Sequence, residues 1–315
     1  MNIVIITPAA ARALGGNRNT AQRWARLFRE LGHRAKVQVC WDGGAADAMI
    51  ALHARKSFDS IKRFSVLQPD RPLILCLTGT DLYRDIQTDA SALESLRRAD
   101  RIIVLQEMGL MELSPVLRRK TRVIYQSAKP VKPAPPFKNL FEICVVGHLR
   151  EEKDPFRCTM ALQYLPPSSR IRVCHMGQAM TGAMEKEARQ WMAREPRYRW
   201  LGEVPHSQAR RHLARSRAMV ISSRMEGGAN VVSEALMAGV PIIASSIRGN
   251  IGMLGADYSG YYPPEDERRL ARRLQQMEND PAFRRLLQRQ CKKRMPLIQE
   301  KTEKNRLKRL LAELL

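Results

Sequence analysis

Long apolar runs are missing from this 315-residue chain. The opening run, Met1 to Thr7, falls far short of the roughly 18 residues that a membrane span requires and has no basic segment ahead of it, so it reads as a buried strand. Cysteine is sparse and unpaired. Cys40, Cys76, Cys144, Cys158, Cys174 and Cys291 stand singly, most of them in apolar runs, and no two have the spacing of metal ligands. Unpaired thiols, together with the absence of a signal segment, point to a reducing, cytoplasmic setting. Asp-x-Asp triplets are absent and none of the six histidines forms a helical i, i+4 pair, so neither a metal nor any other cofactor is expected. Aromatic residues make up only 6%, which leaves few stacking platforms for single-stranded nucleic acid.

Positive charge is what the chain has in excess, with a formal net charge of +23. Such a charge suits nucleic acid or an anionic membrane surface. Its distribution argues otherwise: Arg and Lys crowd the region from Arg268 to Arg309 at helical spacing, the pattern of a solvated helix face. The field that remains would draw in small phosphorylated substrates. No nucleic-acid partner is expected.

Hydrophobic residues supply 44% of the chain, and its length suits two α/β domains of about 150 residues each. Short apolar runs alternate with helical patterns, the mark of βαβ units and a parallel sheet. Strands are expected at Ile3–Thr7, Ala35–Trp41, Met49–Leu52, Leu73–Thr78, Arg101–Leu105 and Val123–Tyr125, with the clearest helices at Thr20–Leu31 and Ser91–Ala99. The stretch Lys129 to Pro136 holds four prolines in eight residues and can continue neither a helix nor a central strand. The pattern then restarts, with strands at Glu142–Val146, Arg170–His175, Tyr198–Leu201, Ala218–Ser222 and Pro241–Ala244, and helices near Pro155–Tyr164, Met184–Arg194, Ser207–Arg215 and Asn230–Ala238. The reading is therefore a first Rossmann-like domain over 1–128, a linker over 129–137, and a second over 138–295. Glu265 to Leu315 reads as helix, and its last part, 296–315, carries an apolar stripe at Leu307, Leu310, Leu311 and Leu314 that suits packing on the first domain. Two doubly wound domains place their ligand site at the carboxyl ends of the strands, in a cleft.

Glu226-Gly-Gly-Ala-Asn-Val-Val-Ser-Glu234 carries the most information. It follows a strand and opens a helix at about Asn230, so the backbone N–H groups of Gly227, Gly228, Ala229 and Asn230 form an anion-binding helix start. Glycine there permits close backbone approach to a ligand. Glu226 precedes the helix and Glu234 sits one turn inside it, where a carboxylate suits a vicinal diol such as ribose. A second segment, Gly147-His-Leu-Arg-Glu-Glu-Lys153, ends the second domain's first strand and offers His148, Arg150 and Lys153 as cations for a leaving group that gains charge. Gly15, Gly16 and Asn17 follow the first strand, the position of a phosphate-facing glycine loop. Polar turns at other strand ends are expected to line the acceptor side: His53, Arg55 and Lys56, then Thr78, Gly79, Thr80, Asp81 and Arg84, then Arg248 to Gly252, with Arg224 as a further acceptor-binding cation.

The Glu226/Glu234 spacing matches the Glu-x7-Glu motif of GT-B glycosyltransferases that resemble glycogen and sucrose synthases. That resemblance implies a metal-independent α/β fold of the GT-B type, with Glu234 on the ribose and Glu226 on the donor sugar. The segment at Gly147 resembles the same family's Gly-Arg-Leu-x-x-x-Lys, except that His148 stands in the place of arginine. Taken together, HARKS, LTGTDLYRDI, GHLREEKDPFR, RYRWLGE, EGGANVVSEA and RGNIGMLG resemble the selenosugar synthases of selenoneine biosynthesis, from Met1 to about Tyr262. This resemblance implies transfer of N-acetylglucosamine or glucose from a UDP-sugar to selenophosphate. The cations Arg55, Lys56, Arg84 and Arg224 suit a small polyanion, and soft selenium needs no strong base. An alcohol acceptor would use a base, for which Asp81 or His53 is available. A conventional sugar transferase acting on an alcohol, lipid or thiol and a non-catalytic basic binding protein on the same fold stand beside that reading.

Overall fold

The computed structural model describes residues 1–8, 15–131 and 134–314. Lys132 and Pro133 of the expected linker and Leu315 of the expected last helix lie outside the described residues. The chain forms two compact units: Met1–Ser127 with Glu226–Asn230 and Leu297–Leu315, and Ala128–Met225 with Val231–Pro296. The five residues of the glycine-rich segment thus count with the first unit, although the chain on both sides of them belongs to the second.

Unit 1 is built on β1 (Asn2–Ile6), β2 (Arg34–Gln38), β3 (Ala48–Leu52), β4 (Leu73–Leu77), β5 (Arg101–Val104) and β6 (Thr121–Val123), in the spatial order β2-β1-β3-β4-β5-β6. All neighbours run parallel, which requires the crossovers α1 (Gly16–Glu30), α2 (Phe58–Leu67), α3 (Ile86–Thr88), α4 (Ala90–Arg98) and α5 (Pro115–Arg119). α1 buries Thr20, Ala21, Trp24, Ala25, Leu27 and Phe28, a 3.6-residue stripe that covers one face of the sheet over Ile3 and Ile5. Ile61 and Phe64 of α2 and Leu96 of α4 cover the other face.

Unit 2 carries β7 (Phe141–Val146), β8 (Ile171–Met176), β9 (Tyr198–Trp200), β10 (Ala218–Ile221), β11 (Ile242–Ser245) and β12 (Tyr261–Tyr262), in the order β12-β11-β10-β7-β8-β9. Its helices are α6 (Arg157–Leu162), α7 (Gly182–Arg194), α8 (His206–Arg215), α9 (Asn230–Ala238), α10 (Arg248–Leu254), α11 (Glu267–Asn279) and α12 (Pro281–Arg294). The last helix, α13 (Glu300–Ala312), belongs to unit 1, where Leu307, Leu310 and Leu311 join Trp24 and Phe28 in one cluster.

Three expectations need correction. The helix expected from Glu265 onward is interrupted twice. Pro281 starts α12 afresh under a cap from Asp280, whose carboxylate accepts from Ala282 N at 2.8 Å and Phe283 N at 3.0 Å, and a 3₁₀ turn over Met295–Ile298 makes the second break. Arg248 to Gly252, expected as a polar turn, is helical in α10, with Gly249, Asn250 and Gly252 buried; Asn250 Nδ2 holds Ser245 O and Oγ at 3.0 Å each. The basic run is only partly a solvated face, because Arg273 donates to Tyr261 O, Arg294 to Gly252 O and Met253 O, and Arg306 to Val123 O.

Among the described residues no helix is long and apolar enough to cross a membrane, and no three His, Cys, Asp or Glu side chains gather as a metal would require.

Candidate active site

In unit 2 the strand order reverses between β7 and β10, which pair in parallel. The carboxyl ends at such a reversal are where doubly wound sheets take ligands. Gly147–Lys153 leaves β7 there, and the segment reaching Arg224 leaves β10. The chain after β7 is held rigidly. His175, 1% exposed on β8, reaches Gly147 O through Nε2 at 3.1 Å and Tyr198 Oη through Nδ1 at 3.1 Å. Burial pushes its pKa down to about 4, so it is a neutral strut at physiological pH. Gly177 completes the fit: a Cβ there would lie 1.9 Å from Gly147 O.

The three expected cations leave this strut in different ways. Lys153 closes a 3₁₀ turn, Glu151–Lys153, and its stem lies 3.9 Å from where a Cβ of Gly147 would stand, which lays the side chain along the strand end. His148 accepts the Gln178 N–H at Nδ1 (3.2 Å), while Arg150 is half-exposed and only 3.9 Å from Glu152. Arg224 lies with two carboxylates, Glu265 at 2.7 Å and Asp154 at 3.8 Å. It counts with unit 2, as does the expected acceptor segment Arg248 to Gly252, whereas Arg55, Lys56, Thr78 to Asp81 and Arg84 lie in unit 1.

Glu234 sits one turn inside α9. Its carboxylate is 14% exposed and accepts a 2.6 Å hydrogen bond from His206 Nε2 at the start of α8. His206 carries no motif in the sequence and was not anticipated. The hydrogen bond to Glu234 raises the His206 pKa above 6.5 against the lowering effect of burial. A raised folded-state pKa means that this pair stabilises fully below pH 6.5 and that its contribution fades as pH rises through the shifted value. The His206 ring should therefore titrate above its ordinary value by NMR and lose that upward shift in Glu234→Gln. An unshifted ring in the native protein would contradict the pairing.

In unit 1 the strand order reverses between β1 and β3. His53 follows β3 in the left-handed region, with φ 77, and is 3% exposed. Its Nδ1 accepts from Lys56 N at 3.4 Å, and its Nε2 lies 3.1 Å from Thr80 Oγ1. Burial lowers its pKa, with Asp81 opposing, so the ring is neutral near pH 7. His53 is thus held between Lys56, Thr80 and the carboxylates of Asp81 and Asp85, each 3.9 Å from one of its ring nitrogens. Asp81 is committed to backbone. It is fully buried, Oδ1 accepts from Thr78 N and Gly79 N at 2.9 Å each, and Oδ2 accepts from Ala54 N at 3.0 Å. Oδ1 therefore shapes its own turn, and Oδ2 ties that turn to the chain after β3.

Asp81 also opens a π-helical turn, Asp81–Asp85, that α3 continues. Its last residue gathers two cations: Arg55 Nε lies 3.0 Å from Asp85 Oδ2, and Arg84 Nε 3.2 Å from Oδ1. Burial would raise the Asp85 pKa, but these two guanidiniums outweigh it and hold the carboxyl below its ordinary range. Two half-exposed guanidiniums on one carboxylate, with Lys56 exposed beside Arg55, leave a net positive strand end. Asp85 is the organiser, and it was not among the residues that the sequence singled out.

The segment Glu226–Asn230 packs on this same strand end. A Cβ on Gly227 would lie 2.3 Å from Thr78 O and 2.7 Å from Gly79 N, and one on Gly228 2.5 Å from Leu105 Cβ. Glycine is therefore demanded by backbone contact within the protein, where approach to a ligand had been the expected reason. Glu226, Gly227, Gly228 and Ala229 are all buried. Gly15, expected in a loop with Gly16 and Asn17, is instead the N-cap of α1 with those two residues in its first turn.

Two parallel-sheet units of this kind, with acids and cations on loops at the carboxyl strand ends, have the architecture of a GT-B glycosyltransferase. Residues 129–294, more than half of the chain, match the family described as Glycosyl transferases group 1, and the chain belongs to that family. The structure is similar to HepE (Alr3699) of Anabaena in complex with UDP and glucose, with a TM-score of 0.78 at 15% identity, covering 99% of this chain and 100% of that one. It is similar also to sucrose-phosphate synthase of Thermosynechococcus elongatus, with a TM-score of 0.79 at 17% identity and coverages of 99% and 98%. The lipopolysaccharide outer core galactosyltransferase WaaB gives 0.68 at 13%, with both chains fully covered at 100%. At these identities the likeness establishes the fold. Comparison with curated protein sequences gave no match.

Proposed function

We propose that this glycosyltransferase transfers N-acetylglucosamine or glucose from a UDP-sugar to selenophosphate, without a metal. For the donor, the support is the placement of Glu226 and Glu234 on either side of the α9 start, joined to the UDP in the HepE complex and the family match. Glu234 takes the ribose hydroxyls, Glu226 the sugar hydroxyls, and the N–H groups of Gly227 to Asn230 the anionic oxygens. Lys153, with Arg150 or His148, neutralises the diphosphate as it leaves.

For the acceptor, the observation that carries the reading is the fate of the two base candidates. Asp81 is occupied by three backbone N–H groups, and the buried His53 ring is held between Lys56 N and Thr80 Oγ1, whereas Arg55, Lys56 and Arg84 present positive charge. A nucleophile that needs cations and no base fits this set, and selenophosphate is one. Its selenium forms the bond to the anomeric carbon as the carbon–oxygen bond to UDP breaks and the electron pair departs with UDP. Water then opens the selenium–phosphorus bond, giving phosphate and the selenosugar. The resemblance of HARKS, LTGTDLYRDI and RGNIGMLG to selenosugar synthases points the same way.

The test mixes protein, UDP-N-acetylglucosamine or UDP-glucose, and selenophosphate, and follows UDP release together with a selenium-containing sugar by mass spectrometry. Consumption of donor with alcohols or thiols but not with selenophosphate would overturn the acceptor assignment. For the donor, Glu234→Ala should weaken UDP binding in calorimetry by about 10- to 100-fold, the loss of one or two charged hydrogen bonds. Glu226→Ala should lower turnover more than UDP affinity. Unchanged UDP affinity in the Glu234 variant would remove the ribose assignment.

A further inference from the structure

Unit 1 holds a buried polar network that the reaction described above does not use. Glu303 on α13 is 0% exposed and accepts from Trp24 Nε1 at 2.7 Å, Ser127 N at 3.0 Å, Ser127 Oγ and Arg23 Nε at 3.0 Å. Arg23, on α1, sends its other two nitrogens outward from that anchor. Nη1 donates to Asn230 Oδ1 at 3.1 Å and Nη2 to Gln126 Oε1 at 2.7 Å. Gln126, 3% exposed, accepts also from Thr20 Oγ1 at 2.7 Å and donates through Nε2 to Gly228 O at 3.0 Å. One guanidinium thus reaches the glycine-rich segment twice, directly at Asn230 and through Gln126 at Gly228.

We infer that Arg23 and Gln126 are positioning residues for the donor-binding segment Gly228–Asn230, with Glu303 as their anchor. The inference rests on the reading that this segment takes the sugar nucleotide. A guanidinium is a planar fork of five N–H donors, so fixing one edge on a buried carboxylate fixes where the others point. Gly228 is pressed from its other side by Leu105, whose Cβ would stand 2.5 Å from a Cβ there. Its peptide plane, and with it the direction of the neighbouring N–H groups, is therefore set between Leu105 and Gln126. Preorganised N–H dipoles act on a developing negative charge without reorienting during the reaction, and small misplacements of such groups are costly. Neither residue touches substrate in this reading; both act through the loop.

Gln126→Glu tests the inference. It is isosteric and preserves an acceptor for Thr20 and Arg23, but it puts an acceptor opposite Gly228 O. Its thermal midpoint should stay within a few degrees of the parent, hydrogen exchange of the peptide covering 226–234 should quicken at least about tenfold, and kcat/KM for donor consumption should fall about 10- to 100-fold. Trp24→Phe removes a different bond to Glu303, one that does not lead to the loop, and should lower stability while leaving kcat and KM unchanged. Parent-like exchange at 226–234 in Gln126→Glu, or kinetics in Trp24→Phe that fall in step with those of Gln126→Glu, would overturn the inference. Calorimetry of the parent with UDP separates the two readings: if UDP fails to bind, the donor assignment falls, while the exchange measurement still reports on the positioning.

Discussion

Replacing Glu303 by alanine is expected to lower the stability of unit 1 by about 3–5 kcal/mol, the usual cost of removing one partner from a buried ion pair. The carboxylate is fully buried, and the Arg23 side chain that it pairs with is only 15% exposed. Its loss strands that guanidinium without a counter-charge and leaves the Trp24 indole N–H and the Ser127 N–H without their acceptor. Each stranded donor adds about 1–3 kcal/mol of desolvation cost, though the contributions overlap because the groups share one cavity. Glu303→Gln keeps one acceptor oxygen and should fall between the two. The measurement is urea unfolding combined with hydrogen exchange resolved by peptide, since the chain has two units and need not unfold in one step. Protection should fall over α1 and around Ser127 and hold over β7 and β8. A loss below about 1 kcal/mol, or one spread evenly over both units, would show that the buried carboxylate is not the anchor described here.

Glu303 also marks the limit of what periodicity reveals. The leucine stripe of α13 was legible because Leu307, Leu310 and Leu311 recur at helical spacing and join the core. Glu303 lies on the same buried side, yet a glutamate in a basic helix reads as solvated. Its burial depends on Arg23, Trp24 and Ser127, about 176 to 280 positions away in sequence, and no local pattern contains them. The sheets were legible for the opposite reason. Parallel strands buried on both faces are runs of Val, Ile and Leu, so each of β1, β3, β4 and β7 appears as a short apolar block. β12 escaped because two tyrosines make too short a run, and α10 escaped because Gly249 and Gly252 look like a turn when they are in fact packing against neighbours.

At the site, residue types were more legible than roles. Strand ends marked out His53, Asp81 and Arg84, and a doubly wound order makes those ends functional by default. The sequence could not tell that Asp81 commits one oxygen to its own turn and the other to Ala54 N on a distant loop, nor that Asp85 four residues later is the carboxylate gathering Arg55 and Arg84. Such a division depends on which acid is aimed inward by one irregular turn. His206 and His175 were invisible because each acts through a partner on another element, Glu234 and Gly147 respectively.

Gly227→Ala is expected to cut turnover by about 100-fold or more, the cost of displacing a catalytic constellation by about 1 Å. The added Cβ would stand 2.3 Å from Thr78 O and 2.5 Å from Thr78 C, both backbone atoms. Flexible side chains could swing aside, but the Thr78 peptide cannot, because Asp81 holds Thr78 N and Gly79 N at 2.9 Å and Ala54 N at 3.0 Å. The glycine-rich segment must therefore move, and Glu226 moves with it. Gly182→Ala, in open space at the start of α7, serves as the comparison and should change neither turnover nor stability appreciably. Circular dichroism and the urea midpoint establish that the Gly227 variant is folded before its rate is read. A folded Gly227→Ala protein with parent-like kcat/KM would mean that the segment tolerates a shift of this size, and the roles assigned to Glu226 and to the N–H groups after it would have to be withdrawn together.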